Sequence, residues 1–308
     1  MKEKDLTSYM QSVIGCLEKD RKRPAAHTYR YALKSFMRFS GGEDMPVDKV
    51  FMPGRLKEYE EWMKRDGKSL NTISTYMRTL KAVYNRLVAE KVLPYEAKLF
   101  DGIYTKVEQQ TKRALTKEQT GVLLHADFRQ LPQKERRALA YFLLMFLLRG
   151  MPFIDLAHLR RQDIKGNCLV YCRHKTGRQL TVHIPREAAW LLEEFRNDNP
   201  DSVYLLPILD GKQKDKGEPY ACYLHALRNF NKDLVKMAAV LLPGVKISSY
   251  TARHTWATLA FYQGMSVGII SKALGHSSIK VTETYLKPFE NEKVDAANDA
   301  LIAALQVA

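Results

Sequence analysis

The stretch "LGHSSIKVTETY", residues 274–285, places His276 nine residues before Tyr285. The residues between them are mostly small, hydroxylated or charged. The chain has 16 tyrosines, so the position of this one needs an explanation from the residues around it. Two polar stretches earlier in the chain supply that explanation.

The first of these stretches is "YTARHTWATLA", residues 250–260, which contains Arg253. The second is "HKTGRQ", residues 174–179, which lies between two short segments of strand character and contains Lys175. Gly177 favours the tight turn of a β-hairpin there. A lysine, an arginine, a histidine and a tyrosine therefore follow one another in order as candidates for one site.

Length and charge point to two domains and a polyanionic partner. The chain has 308 residues, 45% of them apolar and 27% charged, which is typical of a folded protein with two domains of ordinary size. Its net charge is +15, of which residues 1–110 carry +6 (21 basic, 15 acidic) and the remainder +9. Since the excess is not a basic tail, a nucleic acid that contacts both domains is the simplest partner.

The apolar runs and the cysteines favour a cytoplasmic protein, associated with the nucleoid if the partner is DNA. The longest apolar run, residues 138–148, is too short to span a bilayer, and the charged N-terminus does not resemble a signal peptide. Four scattered cysteines form no C-x-x-C pair, so we expect buried thiols rather than disulfides or a metal site.

The first ninety residues have the periodicity of helices. Residues 69–92 are the clearest case, with Ser69 as the predicted N-cap. One face carries apolar residues at helical spacing: Ile73, Met77, Leu80, Tyr84 and Leu87. The rest of the helix offers Asn71, Thr75 and Arg78, which suit contacts to phosphates and base edges. An earlier helix, residues 25–40, presents Arg30 and Lys34 in the same way, and an ordinary solvated face explains either helix equally well.

The segment from residue 93 to 116 lacks a sustained apolar period and indicates an interdomain linker. We therefore expect a helical domain over 1–100, a linker over 101–112 and a second domain over 113–308. The second domain is predicted to be mostly helical with one small hairpin, starting with a capping box from Thr116 to Gln119. A terminal helix at 294–307 completes it. The fold class is mainly α with a small β-hairpin or sheet.

Together these stretches resemble the tyrosine recombinase (phage integrase) family over nearly the whole chain. The R-H-x-x-A-T box at Arg253, the L-G-H at 274–276 and the tyrosine nine residues after the histidine match that family in order. The resemblance implies a helical core-type DNA-binding domain followed by a mixed catalytic domain. Because the helical domain begins near residue 1, we expect a simple two-domain recombinase or invertase.

The resemblance also implies the chemistry. Tyr285 would attack the scissile phosphate and form a 3′-phosphotyrosine, so that the energy of the phosphodiester is kept in a covalent ester. Arg253 and His276 would contact the phosphate, and Lys175 would protonate the leaving 5′-oxygen. No metal and no nucleotide cofactor are expected. His254 is expected to support the helix.

Two positions depart from the family pattern. Tyr250 stands where the first histidine of the box is expected; it can donate a hydrogen bond to phosphate but exchanges protons poorly near pH 7. Pro152 stands where the first arginine is expected. Arg149, three residues earlier, can reach the phosphate from a shifted backbone, with Asp155 orienting the site. Alternatively, a hairpin arginine, Arg173 or Arg178, supplies the second guanidinium.

The resemblance favours site-specific recombination, by integration, excision or inversion, between paired sites on double-stranded DNA. Strand relaxation by a type IB topoisomerase uses a similar set of residues, and a DNA-binding protein with impaired catalysis would explain the two departures. Leu301, Ile302 and Leu305 form an apolar stripe in the terminal helix. By resemblance, this stripe would dock onto a neighbouring subunit of a tetramer.

Overall fold

The structure is a computed structural model that describes residues 5–20, 22–42, 45–108, 114–210 and 219–286, together with 295, 298, 299, 301–303 and 305. It divides into two compact units, Met1–Gln110 and Thr111–Ala308. The described residues are mainly helical with one small sheet, as the sequence predicts. Within them, no helix has both the length and the apolar character needed to cross a membrane.

The first unit is helical throughout its described part: α1 (Leu6–Lys19), α2 (Arg23–Phe39), α3 (Val47–Val50), α4 (Pro53–Arg65) and α5 (Leu70–Ala89). Its core confirms the predicted face of α5, since all five apolar residues of that face are at most 3% exposed. Ser69 caps α5, accepting a hydrogen bond from the amide of Thr72. Local patterning therefore determines this helix and its orientation.

The segment around residues 94–104, which has no helical period, packs onto the first unit. Leu99 and Ile103 are buried in the helical core. The hydroxyl of Tyr84 donates to the carbonyl of Pro94 at 3.0 Å, and Glu60 accepts from the amide of Tyr104 at 3.0 Å. Two apolar side chains and two backbone partners are enough to fix a segment that has no helical period.

The second unit combines helices with a three-stranded antiparallel sheet of order β1-β2-β3. Its elements are α6 (Lys117–Leu124), α7 (Gln133–Leu147), α8 (Phe153–Ala157), β1 (Ile164–Lys165), β2 (Cys168–Cys172), β3 (Gln179–His183), α9 (Arg186–Glu194), α10 (Pro219–Leu241), α11 (Ser249–Tyr262), α12 (Val267–Leu274) and α13 (Ile279–Glu283). The predicted capping box at the start of α6 is present. The buried helix α7 lies at the centre of the core and contacts α9, α10 and α11.

The sheet is one strand larger than the predicted hairpin, because the two-residue strand β1 pairs with β2. The hairpin itself is confirmed: Cys172 pairs with Gln179 at the end of the ladder, and Gly177 has φ 67° in the turn. A small separate cluster of Ala257, Ile270, Leu274 and Leu286 holds α11, α12 and the segment after α13 together. This cluster and the hairpin frame the candidate site.

Candidate active site

Arg253 is the most highly connected polar residue of the candidate site. Its side chain is carried by α11, and the residue is 3% exposed. One terminal nitrogen, Nη1, donates to the carbonyl of Gly150 at 2.7 Å. The other, Nη2, donates to the carbonyl of Leu274 at 2.7 Å and to Nε2 of His276 at 2.8 Å. Three chain segments therefore meet at one guanidinium.

Two glycines allow these segments to approach. Gly150 has φ 66°, and a Cβ added there would lie 3.2 Å from the Cα of Arg253. Gly275, the glycine of the L-G-H motif, ends α12 with φ 65°, and a Cβ there would lie 3.0 Å from a methyl carbon of Leu180. Both positions need the left-handed conformation that glycine adopts without cost.

His276 is buried and neutral in this arrangement. Because arginine can only donate, Nε2 of His276 must accept the bond from Arg253, which leaves the proton on Nδ1. Nδ1 lies 2.8 Å from Oγ1 of Thr282, which is fully buried, and donates to it. Burial, with the positive charges of Arg253, Arg173 and Lys175, lowers the pKa of His276 to about 4. Arg253 thus fixes the tautomer, and Thr282 accepts the remaining N–H, a contact that the sequence motif does not reveal.

Tyr285 lies beside the imidazole of His276. Its ring centre is 4.9 Å from that of His276 and 4.8 Å from that of His254, with interplanar angles of 31° for both. The guanidinium carbon of Arg253 lies 5.4 Å from the centre of the tyrosine ring. The structure therefore brings the predicted nucleophile, arginine and histidine together in one subunit.

The hairpin adds two more arginines to the L-G-H segment. Arg173, at the end of β2, donates from Nη1 to the carbonyl of Gly275 at 2.6 Å, and Arg178 donates to the carbonyl of His276 at 3.3 Å. With Arg253 on Leu274, three guanidiniums bind three consecutive carbonyls. Lys175 is exposed in the turn between the two hairpin arginines, and its charge contributes to the lowered pKa of His276.

Buried polar atoms without hydrogen-bond partners mark this site. Among the described residues, the Nε atoms of Arg173 and Arg253 and Oδ2 of Asp155 have none. Asp155 is 3% exposed; burial raises the pKa of its carboxyl, and its Oδ1 accepts from the amide of His174 at 2.9 Å. Burial and the charge of Arg173 both lower the pKa of Arg253. Two buried cations with unused donors form a site that an anion would stabilise.

Two predicted catalytic residues lie at the margin of this cluster. Arg149 has φ 61°, and its Nη1 donates to the carbonyl of Thr181 on the outer strand β3 at 3.4 Å. Tyr250 is 63% exposed on α11, with its ring centre 6.3 Å from that of His254. Their roles at the phosphate stay predictions. No group of three or more His, Cys, Asp or Glu side chains in the described ranges could hold a metal ion.

The predicted DNA-binding residues of the first unit differ in their availability. Arg78 and Lys34 are exposed. The other three are engaged within the unit: Arg30 forms an ion pair with Glu18, the amide of Asn71 bonds both the N–H and the carbonyl of Glu108, and the hydroxyl of Thr75 donates to the carbonyl of Asn71. Arg78 and Lys34 are thus the cations of this set best placed for an external anion.

Comparison with family models gives two adjoining matches. Residues 113–292 match the model described as the phage integrase family, and residues 5–101 match the phage integrase SAM-like domain. Together they cover nearly the whole chain, including Arg253, His276 and Tyr285.

Similar proteins and structures agree with these matches. Tyrosine recombinase XerA of Thermococcus onnurineus is 25% identical over 273 residues, covering 75% of this chain and 90% of its own length. A tyrosine recombinase of Thermosipho africanus is 22% identical, with 87% and 90% covered. A lambda integrase (75–356) dimer bound to a COC′ core site superposes with a TM-score of 0.64 at 17% identity, covering 92% of this chain and 95% of that one. The Tn1549 transposon integrase in complex with circular intermediate DNA gives 0.62 at 17% identity, covering 97% and 100%.

Proposed function

The chain belongs to the phage integrase family, and we propose that it is a site-specific DNA recombinase that cleaves and rejoins strands through Tyr285. The buried pair of guanidiniums beside this tyrosine carries the proposal. A scissile phosphate bound there would accept from the unpartnered Nε of Arg253 and offset the repulsion between the charges of Arg253 and Arg173.

The proposed reaction is a transesterification. The phenolic oxygen of Tyr285 forms a bond to phosphorus while the bond from phosphorus to the 5′-oxygen breaks. When the phosphate draws the Nη2 donor of Arg253 away from His276, Nε2 of that imidazole becomes free to accept the phenolic proton. Lys175 gives a proton to the departing 5′-oxygen. The products are a 3′-phosphotyrosine and a free 5′-hydroxyl, and the reverse reaction with a hydroxyl from a partner strand completes rejoining.

Each remaining residue has a proposed part. Arg253 stabilises the charge that gathers on the phosphate oxygens in the transition state. Tyr250 donates a hydrogen bond to the same phosphate from its exposed position. Arg78 and Lys34 of the first unit bind the DNA backbone and contribute affinity rather than rate.

Covalent trapping on DNA of random sequence tests this function. The purified chain is incubated with a pool of duplexes that carry a randomised central segment and one nick, so that the short 5′-hydroxyl fragment diffuses away after cleavage. Trapped DNA is recovered from denaturing gels and sequenced. We expect an adduct on the 3′-phosphate side, enrichment of one sequence, and a released strand that a polynucleotide kinase can label. No adduct, or an adduct through the 5′-phosphate, would contradict the proposal.

The recovered site then separates recombination from related activities. A supercoiled plasmid with two copies of the site is inverted or excised by a recombinase. Topoisomers without rearrangement would favour a type IB topoisomerase, and retarded but uncleaved DNA would favour a DNA-binding protein without catalysis.

We also propose that the active assembly is a tetramer on paired sites. Half of the predicted terminal helix, 294–307, lies outside the described residues, but Leu301, Ile302 and Leu305 within it are 61%, 45% and 72% exposed. Apolar side chains exposed in the single chain favour burial against a second copy. Removal of residues 294–308 should leave binding to one site intact and abolish synapsis of two; unchanged synapsis would exclude this role.

A further inference from the structure

Arg173 lies directly after β2, two residues before Lys175, in surroundings that are unusual for an arginine. It is 6% exposed, and arginine is rarely buried this far. Its Nε lies 3.8 Å from Oδ2 of Asp155, and its Nη1 donates to the carbonyl of Gly275. Only one of its five side-chain N–H groups is thus used in a hydrogen bond among the described residues.

Arg173 and Arg253 bind the same segment of the chain, the L-G-H motif at residues 274–276. They bind the carbonyls of adjacent residues, Gly275 and Leu274, so that their guanidiniums lie side by side. Their positive charges act on the same groups. The charge of Arg173 lowers the pKa of Arg253, and both charges lower the pKa of His276. Two guanidiniums bound to adjacent carbonyls, one of them beside Tyr285, suit the two non-bridging oxygens of a phosphate.

Arg149 lies near the same cluster, since its charge acts on Tyr171 together with those of Arg253 and Arg173, but its guanidinium has a different partner. It is half-buried, and its guanidinium donates to the carbonyl of Thr181 on the outer strand of the sheet. The positive charges that depress the pKa of His276 are those of Arg253, Arg173 and Lys175. Arg173 therefore meets the requirement for a second guanidinium that the motif leaves unfilled at Pro152.

We propose that Arg173 is the second phosphate-binding arginine of the active site, held in place by Asp155 and by the carbonyl of Gly275. The hairpin then supplies both the cation that binds the phosphate and, two residues later, the lysine that protonates the leaving oxygen. This inference rests on the proposed recombinase function, and the wild-type chain serves as the test of that function in every assay below.

Neutralising the substrate provides a test specific to charge. A methylphosphonate at the scissile position replaces one charged non-bridging oxygen with a methyl group, so the transition state needs less positive charge. Strand cleavage is measured under single-turnover conditions on the nicked duplex recovered by trapping, with either a phosphodiester or a methylphosphonate. Wild type is compared with Arg173→Ala, Arg149→Ala and, as the matched control, Arg161→Ala, which removes an arginine of the same unit that binds two backbone carbonyls outside the site.

We expect Arg173→Ala to cleave the phosphodiester about a hundred- to a thousandfold more slowly than wild type and to cleave the methylphosphonate at a rate comparable to wild type. Arg149→Ala and Arg161→Ala should cleave the phosphodiester within a small factor of wild type and gain nothing from the neutral substrate. An equal defect of Arg173→Ala on both substrates would show a structural role only. Selective rescue of Arg149→Ala instead would assign the role to Arg149.

The buried contacts of Arg173 require a second variant. Arg173→Lys keeps a positive charge but cannot form the planar bidentate contact that a guanidinium makes with two phosphate oxygens. If Arg173→Ala does not bind the duplex, Arg173→Lys is compared on the same two substrates. A selective gain on the methylphosphonate supports the proposal, and a phosphodiester rate equal to wild type overturns it. Failure of the wild-type chain to form any adduct contradicts the proposed function and not this assignment.

Discussion

The cations of helix α2 and those of the active site have the same chemistry in opposite surroundings. Arg30 pairs with Glu18, and Arg38 lies 3.6 Å from Asp66, all with part of the side chain in solvent. Arg173 and Arg253 are buried among carbonyl oxygens, with Asp155 as the one carboxylate close to them in the described structure. Exposed pairs contribute about 0–1 kcal/mol each and exchange readily, whereas buried cations with unused donors are held ready for a ligand.

This difference assigns DNA-binding affinity to the exposed cations of α2 and the rate of strand cleavage to the buried pair, Arg173 and Arg253. A phosphate that replaces a surface carboxylate at α2 gains counterion release and adds to binding. A phosphate that enters the buried site meets donors already oriented toward it, so that stabilisation grows as charge develops during the reaction. Changes in the second unit should therefore lower the cleavage rate, and changes in the first should lower affinity.

The variant with the largest expected effect separates DNA-binding affinity from cleavage rate completely. Tyr285→Phe removes the nucleophilic hydroxyl and keeps the ring between His254 and His276, so the packing around it is retained. We expect binding to the recovered duplex to match wild type in a gel-shift titration, with no covalent adduct on denaturing gels. A trapped adduct in this variant would show that another residue is the nucleophile.

Substitution of Lys175 tests whether an exposed residue can change the cleavage rate without changing DNA-binding affinity. Loss of a general acid lowers the rate by about a hundred- to ten-thousandfold, so we expect Lys175→Ala to cleave in that range below wild type with little change in affinity. A substrate with sulfur at the 5′-bridging position has a leaving group that needs no proton.

That sulfur substrate should restore cleavage by Lys175→Ala, while Arg253→Ala, which lacks a phosphate-binding guanidinium, should stay slow on it. A lysine variant that remains equally slow on both substrates would remove the general acid role. It would also place Lys175 with the cations that only hold DNA.

Sequence patterns predicted the parts of this molecule that local rules determine. The buried face of α5, the cap at Ser69 and the turn at Gly177 follow from spacing and from turn chemistry within a few residues. The ordered motif likewise identified Arg253, His276 and Tyr285, which the structure brings together.

The missed features depend on contacts between distant segments. Strand β1 has only two residues, both exposed, and thus no alternation to detect. The sequence favoured Arg149 over Arg173 as the second arginine because Arg149 is closer to the family position, and that choice stays a prediction. The burial of Arg173 depends on a carbonyl 102 residues later in the chain, which no local pattern reveals.

A smaller effect concerns the pH dependence of folding stability, which arises because His276 stays neutral in the folded chain. Its pKa is about 4 in the folded chain and near 6.5 when unfolded. As the pH falls below 6.5 the unfolded chain takes up a proton that the folded chain resists, so the folded state loses stability until about pH 4.

Between pH 7 and pH 5 this loss amounts to roughly 2 kcal/mol for one such histidine. We expect the difference in melting temperature between pH 7 and pH 5 to be smaller in His276→Gln than in wild type. His225→Gln, at a histidine on α10 outside the site, is the control and should keep the wild-type difference. Equal pH dependence in all three proteins would contradict the buried, neutral imidazole.

The smallest expected effect lies on the surface of the first unit. Arg78 is exposed on α5 and has no hydrogen bond or ion pair to another described residue. If it contacts a DNA phosphate, Arg78→Ala should weaken binding a few-fold and lower the slope of log affinity against log salt by about one. The rate of cleavage at saturating protein should stay at the wild-type value. Arg55→Ala is the matched control, since Arg55 already pairs with Glu58 and packs over Phe39, and its salt slope should not change. A slower cleavage step in Arg78→Ala would break the division between affinity and rate, because a surface cation of the first unit would then act on the transition state.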